Sequence, residues 1–116
     1  MMNQIEQSVI IARFQLKPGS DKQAFFENLK PLFDTMSKEP TFVNGIVHEN
    51  VDHPDEILFY EIWNCSKEKW LAEEETKAYR QGPYTKAAAF LLGRELSFYT
   101  PTGEWGTKIT AGKHFS

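Results

Sequence analysis

The stretch Ile57-Leu58-Phe59-Tyr60-Glu61-Ile62-Trp63 decides how this chain folds. Its residues are β-branched and aromatic, without Gly or Pro, which is the composition of a strand. Successive side chains alternate across a strand, so Ile57, Phe59 and Trp63 share one face while Leu58, Tyr60 and Ile62 share the other. Both faces are apolar, and both therefore need cover. Helices of the same chain can cover one face; a partner sheet is expected over the other, which predicts a homodimer.

Working outward, the polar turn Asp52-His53-Pro54-Asp55-Glu56 precedes this strand, and Phe42 to Val51 reads as the strand before it. A short turn between neighbours implies an antiparallel hairpin, and Gly45 is expected to mark a bulge. Further upstream, Ser8 to Gln15 predicts a first strand, closed by Lys17-Pro18-Gly19-Ser20. Ser20 and Gln23 have capping-box spacing, and Phe25, Phe26, Leu29, Leu32, Phe33 and Met36 recur at helical period. Pro31 lies inside that helix and is expected to kink it. Downstream, Ser66 can cap a second helix through Trp70, Leu71 and Glu74 to about Arg80, and Pro83 can open a third. Tyr84, Ala87, Ala88, Phe90 and Leu91 form the third helix's apolar face, Gly93 ends it, and Leu96-Ser97-Phe98-Tyr99 supplies a fourth strand.

The order β-α-β-β-α-α-β predicts an α+β domain of ferredoxin-like, split β-α-β type. At 116 residues a single domain is expected, with a core from about 8 to 100 and a tail from 101 to 116 that carries Trp105, Ile109 and Phe115. Aromatic residues make up 14% and Phe occurs nine times, enough to pack heavily or to line an apolar cavity. A formal charge of -3 without a basic block argues against nucleic acid as a partner. No stretch approaches the roughly 18 apolar residues of a membrane span, and the opening Met1 to Gln7 lacks a leader pattern, so a cytoplasmic location is expected. Cys65 is the only cysteine, which precludes a disulfide within the chain; it reads as a plain small residue. Phosphate-loop, metal-ligand and Ser-His-Asp patterns are not found, leaving an apolar pocket without metal or cofactor as the simplest site.

Glu39-Pro40-Thr41-Phe42, followed by Asp52-His53-Pro54-Asp55-Glu56 and the strand ending Tyr60-Glu61-Ile62-Trp63, resembles a known run: Glu-Pro-Gly, an acidic-Pro turn, and Tyr-Glu-x-Trp. This run belongs to the antibiotic biosynthesis monooxygenase family. Ala12-Arg13-Phe14 and Lys17-Pro18-Gly19 are similar to the family's first strand and turn, so the resemblance covers about residues 8 to 100. It implies a dimeric α/β barrel with a pocket between sheet and helices in each subunit. Relatives include quinol and polyketide-aromatic monooxygenases that use no flavin, metal or haem, and haem-degrading enzymes. In the former, the anion of an electron-rich phenol or quinol reduces oxygen directly. Family members commonly carry a His ten residues after the strand Trp, where this chain has Glu73, and no His follows through Tyr79. That departure disfavours haem degradation and leaves the proton acceptor open.

Glu61 and Trp63, two apart on one strand, lie together in the pocket if their face looks toward the helices. Glu61 is then a candidate base, or else a structural carboxylate held by backbone partners. His48 in the second strand is the other candidate base; His53 and His114 read as solvated. Glu73 reads as part of a solvated helix face paired with Lys77. Trp63, Phe59, Tyr79, Tyr84 and Phe90 are candidates to line the pocket, and Asn64 to hydrogen-bond a substrate. The resulting expectation is a cofactor-independent monooxygenase taking molecular oxygen and a small aromatic quinol or phenol. A dimeric ligand-binding protein without activity, or an isomerase or lyase, are the alternatives on the same fold.

Overall fold

The computed structural model describes residues 6–107 and 109–110; His114 and Phe115 of the tail, and residues 1–5, lie outside the described part. Four strands, β1 (Ser8–Leu16), β2 (Phe42–Glu49), β3 (Glu56–Trp63) and β4 (Leu91–Tyr99), form one antiparallel sheet in the order β2-β3-β1-β4. This is the α+β, ferredoxin-like arrangement expected from the sequence, with the two most apolar strands at the centre of the sheet. Helix α1 (Lys22–Met36) and the connection between β3 and β4 cover one face. Among the described residues, no helix is long and apolar enough to cross a membrane.

The pleat sorts the core as the alternation requires. Ala12, Phe14 and Leu16 of β1 and Ile57 and Phe59 of β3 meet Phe25, Leu29 and Leu32 of α1, with Phe14 tilted against Phe59 at 4.8 Å between ring centroids. A second cluster joins Ile10 and Trp63 to Met36, Cys65 and Trp70. Each fully buried side chain of this size is worth about 1.5–3 kcal/mol, so α1 is held mainly by its apolar stripe. Cys65 is buried, which raises its thiol pKa, in keeping with a packing role.

Several local expectations are corrected. The cap of α1 is Asp21, whose carboxylate accepts from the Ala24 N–H at 3.1 Å, rather than Ser20. Pro31, as expected, lies inside the helix, at an exposed position of Lys22–Met36. The second helix is not one helix: a single α turn (α2, Lys67–Lys69), capped by Ser66 as expected, passes into a π turn at Trp70–Glu74 and then a 3-10 turn at Ala78–Arg80. Helix α3 follows directly at Gln81–Ala88, so Pro83 lies in its first turn, where the missing N–H costs nothing. Phe90 and Leu91 lie beyond that helix, and Gly93 is inside β4, which starts five residues before the predicted Leu96.

The bulge in β2 falls between Phe42 and Asn44, not at Gly45. Phe42 pairs with Trp63 and Asn44 already pairs with Ile62, so one extra residue reverses the facing of all that follows. Gly45 has another use: a Cβ there would stand 2.9 Å from Cζ of Phe42, whose ring rests edge-on against Trp63 at 5.0 Å. Gly45→Ala should therefore lower stability by about 1–2 kcal/mol in urea denaturation, as overpacking does. In a Phe42→Leu background the penalty should largely vanish; an equal penalty in both backgrounds would disprove the clash.

Candidate active site

An apolar cavity of about 300 Å³ lies between the sheet and the helices. Phe14 and Phe59 form part of its floor, Leu29, Leu32 and Phe33 of α1 one wall, and Tyr84, Ala87 and Ala88 of α3 another. Its polar groups are few: Glu61, Arg80, Tyr84 and Arg94. A second cavity of about 280 Å³, toward Gly45 and Ile46 of β2, shares Phe33, Met36, Phe59 and Glu61 with the first, so Glu61 borders both.

Glu61 is on the helix-facing side of β3 and is 8% exposed. The Trp63 indole N–H donates to Glu61 Oε1 at 2.9 Å, and among the described residues no cation comes into ion-pair distance of this carboxylate. Burial raises the Glu61 pKa above the ordinary carboxylate range, against the Trp63 hydrogen bond and the more distant charges of Arg80 and Arg94. The carboxyl is thus held in place by one neutral donor while its charged form is disfavoured. That is the condition of a general base or acid operating nearer neutrality.

Arg80 is 2% exposed, an extreme burial for a charge that is always present. Its guanidinium lies 5.2 Å from the Trp70 ring, 5.4 Å from Tyr79 and 5.7 Å from Trp63, and Nη1 donates to Tyr84 Oη at 3.1 Å. Arg80 was not singled out from sequence, where it marks the approximate end of the second helix. A signal was present: Thr76, Lys77, Pro83 and Tyr84, at the i±3 and i±4 positions, offer it no carboxylate.

The other expected residues divide clearly. Phe59, Tyr84 and Glu61 line the cavity. Trp63 stands behind it, 0% exposed, bonded to Glu61 and stacked near Arg80, so it positions both groups. Tyr79 packs beside Arg80 and Phe90 against Phe25, neither on the main cavity wall. Asn64 accepts from Gln7 at 2.8 Å beyond the end of β3. His48 pairs with Leu58 and faces the opposite side of the sheet, exposed, so it is not brought together with Glu61. Glu73 is exposed, whereas the neighbouring Glu74 is buried and paired with Lys77 at 3.1 Å. Among the described residues, no group of three or more His, Cys, Asp or Glu could hold a metal ion.

Residues 8–89 match the model of the antibiotic biosynthesis monooxygenase family. Solved structures share the fold at low sequence identity. SnoaB of Streptomyces nogalater, a cofactor-independent oxygenase, superposes with a TM-score of 0.74 at 12% identity, over 85% of this chain and 96% of that one. A conserved protein of Methanosarcina mazei gives 0.69 at 18% identity, over 83% and 93%. Rv0793 of Mycobacterium tuberculosis gives 0.72 at 17% identity, over 86% and 99%. A comparison with curated protein sequences gives no match.

The raised Glu61 pKa has a consequence for stability. The unfolded chain, with Glu61 near 4.5, releases this proton at lower pH than the folded chain does. Between the two values the folded state binds more protons, so the contribution of Glu61 is fullest below the unfolded pKa and is lost as pH rises through the folded one. Urea denaturation of native protein and Glu61→Gln across about pH 4.5 to 8.5 should show the variant gaining on the native protein as pH rises. A difference that stays flat would show that burial does not shift this group.

Proposed function

We propose that this chain, which belongs to the antibiotic biosynthesis monooxygenase family, is an oxygenase that acts on a small aromatic phenol or quinol without a bound cofactor. The observation that carries the reading is a buried carboxyl with no ion-pair partner among the described residues, bordering a largely apolar cavity. The likeness of the fold to SnoaB supports it.

In this reading Glu61 takes the proton of an aromatic hydroxyl, its raised pKa narrowing the gap to the phenol. Trp63 holds Glu61 at the cavity edge, and Phe14, Phe59 and Phe33 keep the ring and its anion away from water. The anion passes an electron to molecular oxygen, and the pair combine to form a carbon-oxygen bond at an open ring position. Glu61 returns its proton to the peroxide so formed, and loss of water from the resulting hydroperoxide breaks the oxygen-oxygen bond and removes the ring hydrogen, leaving a quinone carbonyl. One oxygen atom ends in product and the other in water, and the substrate supplies all the electrons.

The same proposal includes a homodimer. Ile11, Leu58, Tyr60, Ile46 and Tyr99 lie on the sheet face away from the helices, where a second sheet would cover them.

Oxygen uptake by metal-stripped protein over a panel of hydroquinones and polycyclic phenols is expected to exceed background, and Glu61→Gln to lower kcat by about 10²–10⁴-fold. His48→Ala, on the other sheet face, should leave uptake nearly unchanged. Undiminished uptake by folded Glu61→Gln would remove the base; no uptake across the panel would leave ligand binding as the better reading. Light scattering at micromolar concentration should give twice the chain mass of 13.4 kDa, and a monomer would refute the covered face.

A further inference from the structure

Space continues on both sides of Glu61. The main cavity of about 300 Å³ and the β2-side cavity of about 280 Å³ share Phe33, Met36, Phe59 and Glu61, so they meet at these four residues. Gly45 pairs with Glu61 across the β2–β3 ladder and lines the second cavity, bringing no side chain into the space beside the carboxyl. Small-molecule sites run from about 300 to 1,000 Å³. Each cavity alone is at or below the lower end of that range, and the two joined fall well inside it.

Phe33 stands at the junction. It also lines an outer groove of about 430 Å³ between α1 and β2, with Phe26 and Val47 in its walls, and among the described residues it alone is common to all three spaces. Its ring meets Phe59 edge-on, 4.7 Å between centroids and 88° between planes. The two rings differ in how they are held. Phe59 is buried in a central strand and packs against Phe14 as well, whereas Phe33 is half-buried and borders the groove. An edge-on pair adds only about 0.5–1.5 kcal/mol beyond burial, so Phe33 is the ring that can turn, and the groove is the space that can receive it.

We propose that Phe33 sets the length of aromatic ligand this site takes: packed on Phe59, it divides a two-chamber site beside Glu61 and confines the ligand to the main chamber. A longer molecule enters the β2-side chamber only by displacing the Phe33 ring toward the outer groove. The inference rests on the cavity being the place where an aromatic hydroxyl compound binds, as in the reading above, and not on turnover.

The test is fluorescence titration of the full chain with a short and a long probe, 2-naphthol and 6-phenyl-2-naphthol. In the native protein the added phenyl ring should bring no gain in affinity, despite its larger apolar surface. Native protein that binds the long probe about 10-fold more tightly than the short one would overturn the inference without reference to any variant. So would the binding of neither probe. In Phe33→Ala the long-to-short affinity ratio should rise by about 10-fold or more, and in Phe33→Leu by less. An unchanged ratio in either folded variant would show that Phe33 is not the divider. Val47 lines the β2-side cavity and the groove but not the main cavity, so Phe33→Ala with Val47→Phe should return the ratio to its native value. A gain that survives Val47→Phe would place the extra ring elsewhere and overturn the two-chamber site. Length selection without oxygen uptake would refute the oxygenase reading and keep this one; uptake with a ratio indifferent to Phe33 would do the reverse.

Discussion

The hydrogen bond from the Trp63 indole to Glu61 is the interaction around which the site is arranged. Leaving a polar group buried and unbonded costs about 1–3 kcal/mol, and a bare carboxylate far more. Placing donor and acceptor two residues apart on one strand meets the need within β3 itself, because side chains two apart share a face. The bond therefore comes with the strand and does not depend on a loop. What it requires is that this face be covered, and Phe42, Met36 and Trp70 provide that cover around Trp63. Loss of any one would admit water to the carboxyl and relax the pKa that burial raises.

The irregular connection after β3 completes the arrangement. A continuous α-helix from Ser66 to Arg80 would advance about 100° per residue. The π turn at Trp70–Glu74 and the 3-10 turn at Ala78–Arg80 change that advance, and both Trp70 and Arg80 are almost fully buried as a result. Such departures are usually paid for by contacts elsewhere. Here Lys77 pairs with both Glu39, just before β2, and Glu74, tying the middle of the connection to the segment that leads into β2. Because the lysine bridges two carboxylates, Glu39 is held below its ordinary pKa by the Lys77 hydrogen bond, while burial holds Glu74 above its own.

Much of this was legible in the sequence, and the gaps have physical causes. Period-two alternation placed Glu61 and Trp63 on one face of β3, and no other element was needed to see it. His48 is the opposite case. From Phe42 onward an unbroken strand would put His48 on the helix side, and the single extra residue before Asn44 turns it outward. Nothing local in Phe42-Val43-Asn44 announces a bulge, since the pairing with Trp63 and Ile62 creates it. Arg80 was missed for a similar reason: its burial depends on Trp63 and Trp70, 17 and 10 positions earlier, and helical periodicity carries no information about them.

The cavity therefore has two different polar neighbours held by one indole. Trp63 donates to Glu61 with its N–H and offers its ring to Arg80, so the carboxyl and the guanidinium are referred to the same rigid group. Phe substitution at that position would keep a ring near Arg80 and delete the indole hydrogen bond to Glu61. Ala substitution would remove both. The two changes separate functions that a single aromatic side chain combines: one controls how strongly the carboxyl holds its proton, the other how the guanidinium is oriented.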